Sequence, residues 1–475
     1  MGYVFSFYPD ISGAENSTIL PLQRFILGLS IYSDPEKIPF LITPYTPLYY
    51  VIVGSLYKIL GFDPENIHKI YALSRFMSLC FVLLACVSMS LTMRLLQFTK
   101  RYIWLATLLV FHVLAYWQLT SSRQDSLLFL LFTLFFHFAV KSILYNDKVN
   151  KYSYLAIIIA VIAFFGKQSG MVYPIIFGLY FLYKREFTTF IKITFTGTIT
   201  FIVFSFLCSN VDLISFFRNI VGGLMNTISL EWWYYYTFVH LLYPLAIPIV
   251  LSGLIALKWL TSKSSNSEIF LSISLITLLF FNLSISLKVG AAIGYFSDYI
   301  YISILVIFYY FTQHSLSAFQ RAFMAGICVC VFVQFSVEKA WGLKKFNNEG
   351  DFSQVYALEW QVKQFMNDSL KLSKKDFVYL GRMNKPYGGY YLNYFLQKNN
   401  LVPLNETITL TKRQGVYNYD NFDKLVYNGQ LTYIICEKGV PKNKIFIPPF
   451  EHLNDKHQYQ LLTSVEGFDI YKWNK

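Results

Sequence analysis

The chain has 475 residues, of which 55% are hydrophobic and only 14% are charged. A soluble domain usually carries about 25% charged residues, so this composition excludes a disordered chain and a coiled coil and indicates an integral membrane protein. The six cysteines form no metal-ligand spacing with histidine, and a chain this apolar is not a disulfide-stapled secreted module. No basic stripe or recognition motif accompanies the net charge of +13, which argues against a nucleic-acid partner.

Residues 1–70 are predicted to form a first loop outside the cytoplasm, followed by a helix on the membrane surface. Met1–Tyr8 is apolar but too short to span a bilayer or to act as a signal peptide, and we interpret it as the stub of a missing first helix. Three prolines break the first half of the charge-free run Ile38–Tyr57. Its remainder, Leu48–Leu60, is predicted to be an interfacial helix; the alternative is a spanning helix, which inverts the topology.

Ten runs without Asp, Glu, Lys or Arg follow residue 70. A helix needs about 20 residues to cross the hydrocarbon core, and flanking lysines can extend the shorter runs. Backbone amides in lipid must be bonded within their own segment, so these runs predict a transmembrane helical domain over residues 71–340. The runs are Phe76–Met93, Tyr102–Ser122, Ser126–Val140, Tyr152–Gly166, Gln168–Tyr183, Ile193–Val211, Trp232–Leu257, Ile269–Leu287, Tyr299–Gln320 and Ala322–Val337.

The lysines and arginines between the runs fall mainly into alternate loops. Cytoplasmic loops carry the excess of Lys and Arg, so the loops around Arg94, Lys141 and Lys184 are predicted to be cytoplasmic. Ten spans return the chain to its starting side. The amino end and the charged tail are therefore both expected outside the cytoplasm.

Residues 341–475 contain 18 basic and 13 acidic residues, about twice the charge density of residues 1–340. This shift marks the clearest domain boundary and predicts a small soluble α/β domain outside the cytoplasm. The tail carries no nucleotide-binding fingerprint and no catalytic motif. Strands are predicted at Phe377–Leu380, Leu431–Ile435 and Phe468–Tyr471, and helices at Ala357–Met366 and Tyr390–Lys398.

Four clusters of polar and ionisable residues fall on the same predicted outer face of the membrane. Charges near membrane depth are costly, so such clusters are functional candidates. A carboxylate tuned by its neighbours can deprotonate an acceptor hydroxyl or amine, whereas Arg and Lys can hold a phosphate. The pattern therefore suits transfer of a group away from a phosphate leaving group. The clusters are Asp10 with Glu15, Ser122–Asp125, Gly166–Gly170, and Lys288 with Gly290, Tyr295 and Asp298.

The order of these clusters resembles that of the polytopic GT-C glycosyltransferases that use polyprenyl-phosphate sugars. The resemblance is to the bacterial relatives of protein O-mannosyltransferases and lipid A aminoarabinose transferases, over about residues 8–340. The matching segments are the acids Asp10 and Glu15, then Gly28 with Ile31–Pro35 ("G…lY.dP"), Tyr45–Tyr50 ("Y.PLYY"), Ser122–Asp125 ("aR.D"), Gly166–Gln168 ("tKq") and Gly290–Asp298 ("G…NYf.E").

The resemblance implies a GT-C fold in a bacterial plasma membrane, with the active site facing outward. It implies transfer of a sugar from a polyprenyl-phosphate-linked donor to a lipid, glycan or protein acceptor. Asp10 or Glu15 is then the base that acts on the acceptor, and Arg123 and Lys167 bind the donor phosphate. No cofactor is required, although some relatives use a divalent cation and the external acids leave that open. Positioning of the sugar or of these cations falls to Asp125, Gln168, Tyr295 and Asp298.

Departures from the family pattern keep alternatives open. Four residues separate Asp10 from Glu15, where many members have adjacent acids, so either carboxylate is a candidate base. Gly294 and Asp298 stand where Asn and Glu are expected. The rival interpretations are a transporter or flippase for an anionic or lipid-linked solute, and a non-catalytic relative that binds lipid-linked sugar. Transporters tend to show internal repeats, and none is visible in this sequence.

Overall fold

The computed structural model describes residues 2–10, 15–114, 121–145, 149–209, 212–291, 293–313, 317–348, 352–384, 388–455 and 457–473. Most of the chain is helical, and a smaller domain with a four-stranded sheet follows the apolar helices. Each of the ten predicted apolar runs overlaps a helix within the described residues. The fold class, a polytopic helical membrane protein with a small α/β domain at its carboxy end, is confirmed.

The apolar part contains α1 (Asn16–Ile26), α2 (Leu48–Ile59), α3 (Ile67–Leu95), α4 (Lys100–Leu114), α5 (Asp125–Tyr145), α6 (Lys151–Gly166), α7 (Val172–Tyr183), α8 (Phe187–Ser209), α9 (Leu213–Phe217), α10 (Leu230–Trp232), α11 (Ala246–Thr261), α12 (Asn266–Ser286), α13 (Ser297–Gln313) and α14 (Ala318–Asn348). The π-helical segments Arg218–Gly222 and Trp233–Leu242 continue α9 and α10. Single turns of 3-10 helix lie at Gly2–Phe5, Gln168–Met171 and Ile293–Phe296.

Six helical segments among the described residues are long and apolar enough to cross a bilayer. The number becomes seven if Leu230–Leu242 and Ala246–Thr261, which meet at 81°, form one bent span. Three further predicted runs correspond to shorter helices: α4 has 15 residues, α6 has 16 and α7 has 12. The run predicted over Tyr102–Ser122 continues beyond α4 into residues 115–120, which lie outside the described part of the chain.

The outer surface of several helices is apolar, as contact with lipid requires. On α8, Phe195 is 67% exposed and Leu207 is 68% exposed, and Trp104 on α4 is 70% exposed. Soluble monomers rarely expose large apolar patches, because contact between apolar surface and water is unfavourable. The interior, by contrast, is packed with aromatic rings. One of them is Phe132 of α5, whose ring centroid lies 4.8 Å from that of Tyr173.

The segment predicted to be an interfacial helix is helical: α2 begins at Leu48 after Pro47 and has 12 residues. Its length is below what a bilayer span needs, which is about 17–25 residues. The buried Tyr49 hydroxyl lies 2.9 Å from the Ser74 hydroxyl and 3.0 Å from that of Ser78, so α2 is fastened to α3 by hydrogen bonds. This packing brings the first loop against the beginning of α3.

The carboxy-terminal domain contains strands β1 (Phe377–Leu380), β2 (Leu431–Glu437), β3 (Tyr459–Val465) and β4 (Phe468–Trp473) in the order β1-β2-β4-β3. β1 and β2 are parallel, and the other two pairs are antiparallel. Its helices are α15 (Ser353–Asp368), α16 (Leu392–Phe395), α17 (Asn405–Arg413) and α18 (Asp420–Tyr427).

Three of the four strands were predicted, and the missing one is β3. It lies at the sheet edge with mostly exposed side chains, so it lacks the buried face that produces a hydrophobic alternation. The tight turn that joins it to β4 places Glu466 and Gly467 at positive φ, which is typical of two-residue hairpin turns. The helix predicted over Tyr390–Lys398 is reduced to the four residues of α16.

Candidate functional site

Glu15, one of the two candidate bases, forms a buried ion pair with Arg75 of α3. The arginine Nε and Nη2 donate to the two carboxylate oxygens at 3.0 and 2.6 Å, and neither side chain is exposed. The backbone N–H of Ser122 donates to Oε1 at 2.6 Å. Both oxygens of Glu15 are therefore engaged, in the bidentate geometry that makes such pairs strong.

Arg75 is a residue that the sequence analysis missed. It immediately precedes the first apolar run, a position where a cation ordinarily flanks a span. In the structure it is completely buried, and its Nη2 also donates to the Tyr8 carbonyl at 2.7 Å. Arg75 therefore fixes both Glu15 and the backbone that leads to Asp10. We call Asp10, Glu15 and Arg75 the acidic cluster.

Asp10, the other candidate base, has a different environment. Its Oδ1 accepts a hydrogen bond of 2.9 Å from the Glu15 backbone N–H, and it forms no ion pair within the described residues. Burial raises the pKa of Asp10 to about 7, and the negative charge of Glu15 adds to the rise, whereas Arg123 and Arg75 oppose it. A carboxyl group with a pKa near neutrality is suited to accept and release a proton.

Tyrosines of the carboxy-terminal domain reach the acidic cluster. The Tyr71 hydroxyl on α3 lies 2.9 Å from the hydroxyls of both Tyr390 and Tyr394. The Tyr71 ring also stacks under Arg75, whose guanidinium carbon is 4.8 Å from the ring centroid. The Tyr391 hydroxyl donates to the carbonyl of Phe7. The domain that follows the helices therefore contacts the loop that carries Asp10.

A buried carboxylate supports the turn that carries these tyrosines. Glu359 of α15 accepts hydrogen bonds from the backbone N–H groups of Gly389 and Leu392, each at 2.8 Å. Burial raises the pKa of Glu359 to about 8, although these backbone bonds favour its charged form. The Tyr390–Tyr394 segment is thus anchored on its own domain before it meets Tyr71.

Arg123, Asp125 and Lys167 form a second buried group, which we call the cation cluster. Asp125 accepts from the Arg123 Nε at 3.0 Å through Oδ2 and from the Lys167 Nζ at 2.7 Å through Oδ1. All three side chains are less than 10% exposed. Burial lowers the pKa of Lys167, but the Asp125 carboxylate more than offsets that effect and raises it overall.

The local sequence explains why these residues sit where they do. Asp125 is the first residue of α5 and Lys167 directly follows the last residue of α6, so each charge complements the dipole at its helix end. The ring centroids of Tyr295 and Tyr45 lie 4.2 and 5.7 Å from the Lys167 ammonium. These distances are typical of cation–π contacts, so two aromatic rings hold the lysine in place.

The two remaining predicted site residues lie beside the cation cluster without contacting its charges directly. Gln168 donates through Nε2 to the carbonyls of Pro44 and Ile220, which ties the α6–α7 connection to the first loop and to the π-helical segment Arg218–Gly222. Asp298 accepts from Asn282 at 3.2 Å and shares a small crevice with Asp125. Gln168 therefore joins three segments of the chain, whereas Asp298 faces the interior near α5.

One short segment connects the two clusters. The N–H of Ser122 contacts Glu15, and the Gln124 side chain accepts from the Thr18 hydroxyl at 3.2 Å and donates to the Tyr50 hydroxyl at 2.9 Å. The fold thus brings the acids of the first loop beside the Arg123–Asp125 segment, more than 100 positions along the chain. Within the described ranges, no three His, Cys, Asp or Glu side chains gather as a metal-binding group.

Comparison with known proteins locates the fold. No family model matches the sequence, and no curated protein matches it significantly. The solved structure of ArnT from Cupriavidus metallidurans bound to undecaprenyl phosphate is similar with a TM-score of 0.59 at 13% identity, over 99% of this chain and 96% of ArnT. The oligosaccharyltransferase AglB from Archaeoglobus fulgidus, in complex with an inhibitory peptide and a dolichol-phosphate, has a TM-score of 0.53 at 12% identity, over 90% of this chain and 65% of AglB. Both are GT-C glycosyltransferases, so the chain has the GT-C fold that the order of its polar motifs predicts.

Proposed function

We propose that the protein is a membrane glycosyltransferase that moves a sugar from a polyprenyl-phosphate-linked donor to an acceptor on the extracytoplasmic face. The observation that carries this proposal is the cation cluster, in which Arg123 and Lys167 share the single carboxylate of Asp125. In the direct ion pairs of the described residues, two buried cations share one carboxylate, and a buried charge is costly unless an opposite charge pairs with it. The lipid phosphates bound by ArnT and AglB support a phosphate as that ligand.

The donor phosphate is proposed to lie against Lys167 and Arg123. As the bond between the anomeric carbon and the phosphate oxygen breaks, negative charge grows on the leaving phosphate. Fixed cations that are already desolvated stabilise that charge without reorganising, which is usually the largest catalytic contribution. An acceptor oxygen or nitrogen forms the new bond to the anomeric carbon.

Asp10 is proposed to be the base that takes the proton from the acceptor. Both oxygens of Glu15 are engaged by Arg75 and by the Ser122 N–H. To accept a proton, Glu15 would have to give up its buried ion pair, which would leave the Arg75 charge without its partner at a high cost in free energy. Asp10 keeps oxygen lone pairs available and has a pKa of about 7. Glu15 then acts through Asp10, since its backbone N–H orients the Asp10 carboxylate.

The other predicted positions receive proposed supporting roles. Asp125 orients the two cations, Tyr295 packs on Lys167, and Gln168 fixes the loops around them. Asp298 lines a crevice of about 10 Å³, which accommodates at most about one water molecule. We therefore propose that Asp298 positions the wall beside Asp125 rather than binding the sugar itself.

A divalent cation fits the acidic cluster poorly. Calcium and magnesium take six or more oxygen ligands in their preferred geometries. Glu15 is already paired with Arg75, so within the described residues Asp10 is the single carboxylate of this cluster that is left to bind a metal. No step of the proposed reaction passes through a metal.

The proposal is tested by reconstitution. The polyprenyl-linked sugars that accumulate when the gene is deleted identify the donor, which is then supplied to the purified protein in liposomes. We expect release of polyprenyl phosphate by the native protein and its loss in Asp10→Asn, with Asp63→Asn as a control at an exposed loop acid. Transbilayer movement of the intact donor without release would support the flippase interpretation instead.

A further inference from the structure

A cavity of about 330 Å³ lies between the apolar helices and the carboxy-terminal domain. Tyr45 and Tyr295, the two rings that hold the Lys167 ammonium, line it from one side. Asn405 and Glu406 of α17 line it from the other. Small-molecule sites typically enclose roughly 300–1,000 Å³. This cavity lies at the lower end of that range and is large enough for a small ligand.

Lys288 also lines this cavity. The residues on either side of it are fixed by two hydrogen bonds of 2.9 Å, from the Ser229 N–H to the Leu287 carbonyl and from the Val289 N–H to the Thr227 carbonyl. Burial lowers the pKa of Lys288 to about 8, and the positive charge of Lys167 contributes to that decrease. The two ammonium groups therefore lie within electrostatic reach of one another.

Lys288 has no counter-charge in the part of the chain that the structure describes. Glu406 shares the cavity wall but is exposed and forms no ion pair with it there. Since Arg123 and Lys167 already leave one positive charge in excess, Lys288 adds a second. A glycosyl monophosphate diester carries about one negative charge and can balance the first of these charges only.

Asn405 provides an independent sign of a ligand. Its Nδ2 donates to the Pro448 carbonyl at 2.7 Å, whereas its Oδ1 is buried without a hydrogen-bond partner among the described residues. A buried acceptor left unpaired costs about 1–3 kcal/mol. Because that oxygen is closed off from solvent, a ligand hydroxyl in the cavity removes this cost once the Asn405 side chain turns toward the cavity.

We propose that this cavity is a second anion subsite, in which Lys288 binds a second phosphate group of the substrate and Asn405 accepts a hydrogen bond from a sugar hydroxyl. The second phosphate belongs either to a diphosphate-linked donor or to a phosphorylated acceptor. The inference rests on the proposed function, because Arg123 and Lys167 bind the first phosphate.

The test measures binding to the purified protein in detergent. Undecaprenyl phosphate and undecaprenyl diphosphate are titrated into the native protein, Lys288→Gln and the charge-preserving Lys288→Arg. Inorganic phosphate is then titrated into each protein after saturation with undecaprenyl phosphate. Lys263→Gln, at an exposed lysine, controls for the loss of a positive charge elsewhere.

If the donor supplies the second phosphate, Lys288→Gln weakens diphosphate binding about tenfold or more while monophosphate affinity stays constant. If the acceptor supplies it, the lipid affinities stay constant and phosphate binding to the loaded protein is lost. Lys288→Arg retains binding in either case. An unchanged profile for Lys288→Gln in all three titrations overturns the subsite alone, whereas native protein that binds neither lipid overturns the proposed function together with it.

Discussion

The acidic cluster and the cation cluster are both buried and meet at the segment Ser122–Asp125, yet within the described residues they leave groups of opposite charge without an ion-pair partner. In the first, Arg75 neutralises Glu15 and Asp10 remains. In the second, Asp125 neutralises one of two cations. Desolvation is expensive for every one of these groups, so a buried charge without an ion-pair partner is a candidate for pairing with a substrate. Under the proposed function, the paired charges hold the fold together and the others take part in the reaction.

We expect the largest effect from removing one partner of the buried Glu15–Arg75 ion pair in the acidic cluster. Arg75→Ala leaves the Glu15 carboxylate buried without its partner, which typically costs about 3–5 kcal/mol. We expect a pronounced fall in the thermal unfolding temperature of the detergent-purified protein. The double variant Arg75→Leu with Glu15→Leu should recover much of the loss, because it removes both charges. Equal stability of Arg75→Ala and native protein would show that the pair is not buried as described.

Removing a cation from the second cluster should affect ligand binding. Lys167→Ala eliminates a charge-assisted contact worth about 1.5–3 kcal/mol, so affinity for undecaprenyl phosphate should fall by roughly ten- to a hundredfold. Lys192→Ala, at an exposed lysine of α8, is the matched control. Titration of the lipid in detergent distinguishes the two, and identical affinities would assign Lys167 a purely structural role.

The unpaired acid predicts a particular pH dependence. A base must be deprotonated to accept a proton. Because burial raises the pKa of Asp10 to about 7, its carboxylate becomes protonated as the pH falls through 7. The transfer rate should therefore be roughly tenfold lower at pH 6 than at pH 8. In Asp10→Asn the remaining rate should show no such step. A step that persists in this variant would locate the base elsewhere.

The smallest expected effect concerns the tyrosines that join the carboxy-terminal domain to the acidic cluster. Tyr390→Phe removes one hydroxyl contact to Tyr71, worth about 0.5–1.5 kcal/mol, so the transfer rate should fall roughly two- to tenfold. The midpoint of the pH profile should stay unchanged, because burial raises the pKa of Tyr390 and keeps this side chain uncharged near pH 7. Tyr427→Phe, at an exposed tyrosine, serves as the control. A native rate in Tyr390→Phe would show that this contact between the domains does not support the reaction.

Much of the architecture could be predicted from local patterns. Runs free of charge predicted the helices, because lipid tolerates neither unpaired amides nor most charges. The break between α10 and α11 was missed, since an apolar run does not reveal a bend of 81°. The edge strand β3 was missed because its side chains are largely exposed. The GT-C fold was predicted from the order of short polar motifs.

The candidate site was likewise predicted only in part from the sequence. The sequence drew attention to Arg123, Asp125 and Lys167 because charges beside apolar runs are unusual. It could not show that Asp125 lies between the two cations, since residues 42 positions apart meet only through the packing of α5 against α6. Arg75 was overlooked because its neighbours make it an ordinary flanking cation.

Composition and charge spacing alone indicate a membrane protein of many helices with a separate charged domain, because both respond to the solvent around each segment. They also place Asp10 and Glu15 in one loop without separating their roles. Tertiary structure gives the two acids different environments, since Arg75 pairs with Glu15, whereas Asp10 forms no ion pair within the described residues. It also brought Tyr390 and Tyr394 to Tyr71 across more than 300 positions. The sign of each charge follows from the residue type, whereas the partner that neutralises it depends on which helices pack together.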